Sequence, residues 1–180
     1  NRFIIDIIVG ASAGSMTGAL LARTLLYDRN MEDVFPSAWV DEVDILKLLE
    51  PTTGQTLLSN RIINGIAAKH LGWLNGPADP HPAWKIGPDD TIMDGETITL
   101  AFALSNLNGI EYDLQSDNRI NGMGTTIFTD WVEFEMGVQK RLDSDEWDIF
   151  REAALASGAF PIAFEHKAVK RNPSDYRPGI

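Results

Sequence analysis

The 180-residue sequence contains no cysteine, which excludes disulfides, thiol nucleophiles and cysteine-ligated zinc. It leaves the compartment open, because secreted proteins can also lack cysteine. Nor does it contain a run of 18 or more apolar residues, so no segment reads as a membrane-spanning helix, and no signal-peptide pattern is read. Positive charge is scarce: 15 Lys and Arg stand against 26 Asp and Glu, a net charge of −11. That balance argues against a nucleic-acid partner, which needs clustered Lys and Arg for its phosphates. It also disfavours broad electrostatic docking on anionic lipid. No internal repeat and no second domain are read. What remains, 44% apolar and 23% charged residues, is an ordinary globular composition, long enough to bury roughly 70% of its unfolded surface in one domain.

The sequence is organised around residues 3–26. Residues 3–9 are apolar except at Asp6, the pattern of a strand buried on both faces in a parallel sheet. Asp6 reads as a strand-end or partnered carboxylate. The run ends in Gly10-Ala11-Ser12-Ala13-Gly14, and an apolar helix pattern follows at once over 13–27. Gly18 inside that helix costs about 1 kcal/mol relative to alanine, and close packing on the sheet would explain it.

A second helix is expected over 37–50, with Trp39, Val43, Leu46 and Leu49 on its inner stripe. A third is expected over 59–71, with Ser59 as N-cap and Ile62, Ile63, Ile66 and Ala67 inward. Lys69 and His70 fall in its last turn, where positive charge suits the helix dipole, and Gly72 stops it. Residues 73–90 carry four prolines and two glycines, so an irregular loop is expected there. Its apolar side chains, Trp73, Leu74, Trp84 and Ile86, either fold back on the domain or cover the site, and His81 reads as surface. Thr97–Leu104 reads as a strand, and Ile110–Leu114 as an edge strand after an Asn108-Gly109 turn. A polar stretch from Gln115 to Gly124 leads to another strand over Thr125–Met136. Asp143 and Glu146 form a capping box for a helix over 144–157, with Trp147, Phe150, Ala153 and Ala154 inward. Gly158 ends that helix, and Ile162–Val169 is expected as a last strand.

Strand, tight Gly-x-Ser-x-Gly turn and helix together are the setting of a nucleophile elbow. A bare Gly-x-Ser-x-Gly arises by chance in about 6% of chains this long at average composition, so the flanking strand and helix carry the inference. A serine hydroxyl is a weak nucleophile until a neighbouring base activates it. Small residues are needed because strand and helix crowd the turn, and Gly10 and Gly14 supply that room. Ser12 is then the expected nucleophile, and the Ala13 backbone N–H, at the positive end of a helix, the expected oxyanion donor. One such donor is worth about 3–4 kcal/mol in a transition state. A phosphate-cradling loop fits less well, since the P-loop lysine and the Gly-x-Gly-x-x-Gly pattern are both missing.

Residues 8–22, with Gly10-Ala11-Ser12-Ala13-Gly14 at their centre, resemble the nucleophile segment of patatin-like phospholipases. Residues 153–162, including Ala156-Ser157 and Pro161, resemble that family's later Ala-Ser-x-x-x-Pro segment, and Leu100–Leu107 resembles the strand between. The resemblance implies a three-layer α/β/α fold with a mostly parallel central sheet. It further implies a Ser–Asp dyad and hydrolysis of lipid acyl esters, of phospholipase A or lysophospholipase type, through an acyl-enzyme without cofactor or metal. Carried onto this chain, it assigns Ser12 and the Ala13 amide. The family's Gly-rich oxyanion loop precedes the elbow, and its catalytic aspartate stands in an Asp-Gly-Gly or Asp-Gly-Ala motif after the proline. Neither is found in this sequence. Asp94-Gly95 precedes the Ala-Ser segment and reads as a turn, and Asp175 lacks the glycines. Residues 1–180 are therefore expected to be one patatin-like domain without its oxyanion-loop unit and its dyad aspartate, inactive or nearly so by itself.

Two alternatives stand beside this reading. A Ser-His-Asp hydrolase would place its histidine after Ser12 and an acid, an order that His166 permits. A non-catalytic hydrolase-like binding module would explain the missing parts, though not the intact elbow, whose strain costs stability. Expected partners are a lipid or acyl-ester substrate and a lipid interface contacted peripherally, with no nucleic acid. A cytoplasmic or peripheral membrane location is favoured, and the oligomeric state is left open.

Overall fold

A computed structural model describes residues 5–26, 31–52, 56–72, 97–114, 123–137, 142–172 and 175–176. Their element order is β1 (Ile7–Ala11), α1 (Ala13–Leu26), α2 (Met31–Pro36), a π-helical turn (Ser37–Asp41), α3 (Ile45–Leu48), α4 (Arg61–His70), β2 (Thr97–Leu114), β3 (Met123–Gly137) and α5 (Ser144–Gly158). The fold is α/β. Its three described strands lie in the order β1-β2-β3, with β1 and β2 parallel and β2 and β3 antiparallel. The sheet is thus only partly parallel.

β1 is an Ile/Val run suited to a pleated surface, and its side chains alternate between the two faces. Ile8 is buried, whereas Ile7 and Val9 are 63% and 73% exposed. The expectation of a strand buried on both faces is therefore corrected: α1 and α5 cover the face that carries Ile8, Leu100 and Phe102. On that face Phe102, Phe134, Phe150 and Trp147 form a chain of aromatic contacts with centroids 5.1–5.9 Å apart. Tilted and edge-on rings of this kind are the preferred aromatic geometry. Gly18 lets α1 sit close, since a Cβ there would lie 2.9 Å from Ile8 Cγ2. Trp147 donates its indole N–H to the Leu71 carbonyl at 2.8 Å, and Arg23 donates to the His70 carbonyl. These two bonds tie α5 and α1 to the end of α4.

Other expectations change. Residues 97–114 form one long strand, not two joined by a turn. Gly109 sits in it at φ 71°, where the register against β3 shifts between Ser105 and Ile110, so Asn108-Gly109 makes a bulge. The helix expected over 37–50 is broken into pieces. Pro36 closes α2, and the Asp44 carboxylate accepts the Leu46 N–H, capping a separate short helix. The stripe expected inward there only partly packs: Val43 is half-buried against the core, whereas Leu46 and Leu49 are exposed and Trp39 borders on it. α4 begins at Arg61 after Asn60, with Ser59 Oγ accepting the Arg61 N–H at 3.3 Å. Residues 162–169 are not a strand. Their backbone bonds instead to 57–60: Leu57 and Leu58 donate to the Ile162 and Ala163 carbonyls, and the Asn60 amide bonds both ways with Glu165. The helix at α5 is as read, with the Asp143–Glu146 capping box complete.

The loop expected over 73–90, with Trp73, Leu74, His81, Trp84 and Ile86, and the Asp94-Gly95 turn lie outside the described residues. So does most of 115–124.

Candidate active site

β1 runs up to Ala11, and α1 starts at Ala13. The one residue between them, Ser12, has φ 56°, a left-handed conformation that costs a non-glycine residue about 1–2 kcal/mol. The cause is the tightness of the turn. A Cβ on Gly10 would lie 2.6–2.7 Å from Ser15 Cα, Ser15 N and Gly14 O. These are backbone atoms that cannot step aside, so only glycine lets the strand end this close to the helix start. Gly14 differs: a Cβ there meets nothing within 4 Å, so the room expected of it is open space in front of the turn rather than a packing need.

Ser12, Ala13 and Gly14 are exposed, whereas Ser15 is fully buried. The Ser12 carbonyl accepts the Ser15 N–H at 2.9 Å. The Ser12 N–H donates to Ser157 Oγ at 2.9 Å. Ala13 opens the helix, where the N–H has no intrahelical acceptor, and the residue is exposed beside the serine. α1 carries no acidic side chain in its first turn, so nothing there offsets the positive end of its dipole. The arrangement offers an exposed hydroxyl on a strained turn and an unclaimed amide N–H one residue on.

No described carboxylate hydrogen-bonds the Ser12 hydroxyl. Asp175 is engaged elsewhere: its Oδ2 accepts the Asn172 N–H at 2.8 Å and lies 3.4 Å from Arg171 Nε. Arg171 in turn reaches Asp130 and the Trp131 carbonyl and stacks on Tyr176, so Arg171 clamps this part of the chain to β3. His166 is exposed, and no described contact links it to Ser12. His70 is buried, and its Nε2 lies 2.7 Å from Glu42 Oε1, a cross-link between elements rather than the cap read from its position. Asp6 is exposed at the start of β1. No described cluster of His, Asp and Glu is arranged to hold a metal ion.

Glu42 was missed in the sequence. Ser37, Lys69 and His70 all bond to its Oε1, at 2.6, 2.5 and 2.7 Å. Burial pushes its carboxyl upward, but these three partners outweigh that and hold it at about 2. It lines, with Asp44, Lys47 and Arg61, an open cavity of about 540 Å³.

Ser157 was in view only as part of the Ala-Ser-x-x-x-Pro segment. Three residues beyond it the chain leaves α5 through Phe160 and Pro161, and Ile162 takes φ 73°. A β-branched residue rarely adopts that conformation. Phe160 and Ile162 are 70% and 73% exposed, and so is Leu57 at 72%, whose N–H donates to the Ile162 carbonyl at 3.0 Å. Two large apolar side chains thus stand in water on the segment that follows the Ser12–Ser157 contact, and Leu57, bonded to that segment, adds a third.

Among the described residues no helix is long and apolar enough to cross a membrane. Neither the curated proteins nor the solved structures contain a match to the chain. A family model described as patatin-like phospholipase does match, over residues 2–177, nearly the whole length. With the elbow at one end of that match and the Ala-Ser-x-x-x-Pro segment bonded to it, the chain belongs to the patatin-like phospholipase family.

Proposed function

We propose that this chain carries the nucleophile of a lipid acyl-ester hydrolase, with Ser12 forming the acyl-enzyme. The family points to lipid ester hydrolysis. The observation that carries the finer reading is Ser12 itself, exposed at φ 56° where β1 meets α1. Strain of about 1–3 kcal/mol persists where a function uses it. In the reaction, Ser12 Oγ attacks the acyl carbonyl carbon and its proton passes to a carboxylate base, the dyad aspartate of the family. The oxygen that becomes negative is held by the Ala13 N–H and the dipole of α1. The alcohol leaves with the proton from the base, and water then attacks the acyl-serine by the same route.

The substrate side is hydrocarbon, and the exposed trio Leu57, Phe160 and Ile162 supports peripheral contact with a lipid surface through this rim. At a net charge of −11 the contact is apolar rather than electrostatic.

A fluorophosphonate probe applied to the intact protein tests the assignment. It should label Ser12 in the native chain and fail on Ser12→Ala, and esterase activity should fall at least a thousandfold in that variant. An adduct on another serine, or full activity in Ser12→Ala, would overturn it.

A further inference from the structure

We infer that Ser157 is a positioning residue for the Ser12 turn, acting through a single hydroxyl that holds the turn in its strained form. Ser157 Oγ lies 2.9 Å from Ser12 N, 2.8 Å from Ser15 Oγ and 2.6 Å from the Ala103 carbonyl oxygen. The proton directions follow from the chemistry of the partners. An amide N–H only donates and a carbonyl only accepts. The one proton of Ser157 therefore goes to Ala103 O, and both lone pairs are left to accept, one from the Ser12 N–H and one from the Ser15 hydroxyl. The hydroxyl is fully used, with one donor and two acceptor bonds.

Each of the three bonds ends on a different part of the site. Ala103 belongs to β2 and is the register partner of Ala11, the last residue of β1. Ser15 is in the first turn of α1 and fully buried. Ser12 is the strained residue between them. The last turn of α5 therefore clamps strand, turn and helix at one point, 142 to 145 residues distant along the chain from Ser15 and Ser12.

A left-handed serine stays put only where its surroundings fix both of its peptide groups. The Ser12 carbonyl is fixed by the Ser15 N–H, a contact local to the turn. The Ser12 N–H is fixed only by Ser157 among the described residues. Without that hydroxyl the peptide between Ala11 and Ser12 is free to rotate, and the Ser12 side chain and Ala13 N–H turn with it. The bond also uses up the Ser12 N–H, so any oxyanion donor of this turn comes from the first N–H groups of α1, Ala13 first among them. Thr, with a hydroxyl at the same place, preserves these bonds, whereas Ala does not.

The kinetic consequence rests on the proposed role of Ser12. Misplacing a nucleophile by about 1 Å costs on the order of 100-fold in rate, and Ser157 touches no substrate-facing group, so the loss belongs to kcat and not to KM.

The test uses the intact, ¹⁵N-labelled protein as wild type, Ser157→Ala and Ser157→Thr. Amide hydrogen exchange at Ser12 should quicken at least ~10-fold in Ser157→Ala and return towards wild type in Ser157→Thr. The amides of Phe102 and Phe150 should stay protected in all three. Acylation of Ser12 by a fluorophosphonate, and kcat on a lipid ester, should fall roughly 10- to 100-fold in Ser157→Ala with KM held. Unchanged Ser12 exchange in Ser157→Ala overturns the inference. So does a loosened amide with wild-type acylation and kcat. If Phe102 and Phe150 also lose protection, Ser157→Cys replaces the alanine variant, because its thiol keeps the shape and bonds weakly. If the wild type itself never reacts at Ser12, the proposed function fails, and the Ser12 amide still decides whether Ser157 holds the turn.

Discussion

A Cβ placed on Gly10 would lie 2.6 Å from the Cα of Ser15, so the end of β1 and the first turn of α1 touch backbone to backbone. That contact forces the one intervening residue into a conformation serine does not favour. Gly10→Ala should therefore destabilise the domain by about 2–3 kcal/mol or more, as overpacking against immovable atoms does. Thermal or denaturant unfolding measures it, and a loss below about 0.5 kcal/mol would mean that the turn can relax.

Gly14 lies four residues on in the same motif and should behave in the opposite way. Its Cβ would meet nothing within 4 Å, so Gly14→Ala should leave stability unchanged or raise it by up to about 1 kcal/mol, the helix preference for alanine. Its methyl would stand in the open space before Ser12. Acylation by a bulky fluorophosphonate should then slow more than acylation by a small one. Equal rates with both probes would show that substrate does not pass over Gly14.

Replacing Ser12 by glycine removes the strain together with the hydroxyl. Ser12→Gly should be more stable than the wild type by roughly 0.5–1 kcal/mol, since glycine adopts positive φ without steric cost, and it should not form an adduct. Matched unfolding curves of the glycine and alanine variants isolate the backbone effect. If glycine is no more stable than alanine there, the φ of 56° carries no strain.

Ile162 offers the same comparison beside an apolar rim. Asparagine tolerates the left-handed region far better than isoleucine, so Ile162→Asn should gain roughly 0.5 kcal/mol or more of stability while losing affinity for neutral phosphatidylcholine vesicles. Sedimentation with vesicles and hydrolysis of a vesicle-borne ester read the second effect, and hydrolysis of a soluble short-chain ester should fall less. Undiminished vesicle binding in a double variant with Phe160→Ser would remove the rim from the lipid contact.

Glu42 links pH to stability. Its folded carboxyl stays ionised down to about 2, against an ordinary value of 4.5, so folding favours the charged form. Its contribution is complete above pH 4.5 and is lost as the pH falls from there through 2. The size is on the order of 2 kcal/mol, allowing for the solvent around Lys69, which screens part of the attraction. Glu42→Gln should flatten the stability curve in that window and leave it unaltered in slope above pH 5. An unchanged acid limb in the variant would assign the loss to other carboxylates.

Local signals in the sequence were sufficient wherever neighbours along the chain decide the structure. The β1–α1 turn, the capped helix at 144–158 and the buried face of Trp147, Phe150, Ala153 and Ala154 are all of this kind. Steric crowding at Gly10, the reciprocal bonds of Asp143 and Glu146, and a 3.6-residue apolar period each act within a few residues. The strong β-strand pattern of 97–104 was legible for the same reason.

Tertiary contacts decided the rest. Asn108-Gly109 has the local chemistry of a hairpin, but pairing along β3 continues past it and turns it into a bulge. Residues 162–169 have strand-forming side chains, yet their backbone bonds to 57–60, so no regular ladder forms. Residues 37–50 have a helical period that breaks between Asp41 and the Asp44 cap, so Val43 packs on the core while Leu46 and Leu49 face water. Glu42 has Ser37 beside it in the turn at 37–41, but gains Lys69 and His70 only when α4 packs beside that turn. Above all, Ser12 and Ser157 are 145 residues apart, and no periodicity or spacing joins them. The sequence by itself determined a strained serine between a strand and a helix, because backbone sterics act at close range. Only the folded chain decided what holds that serine in place, because a hydrogen bond is blind to sequence distance and needs its two atoms brought within about 3 Å.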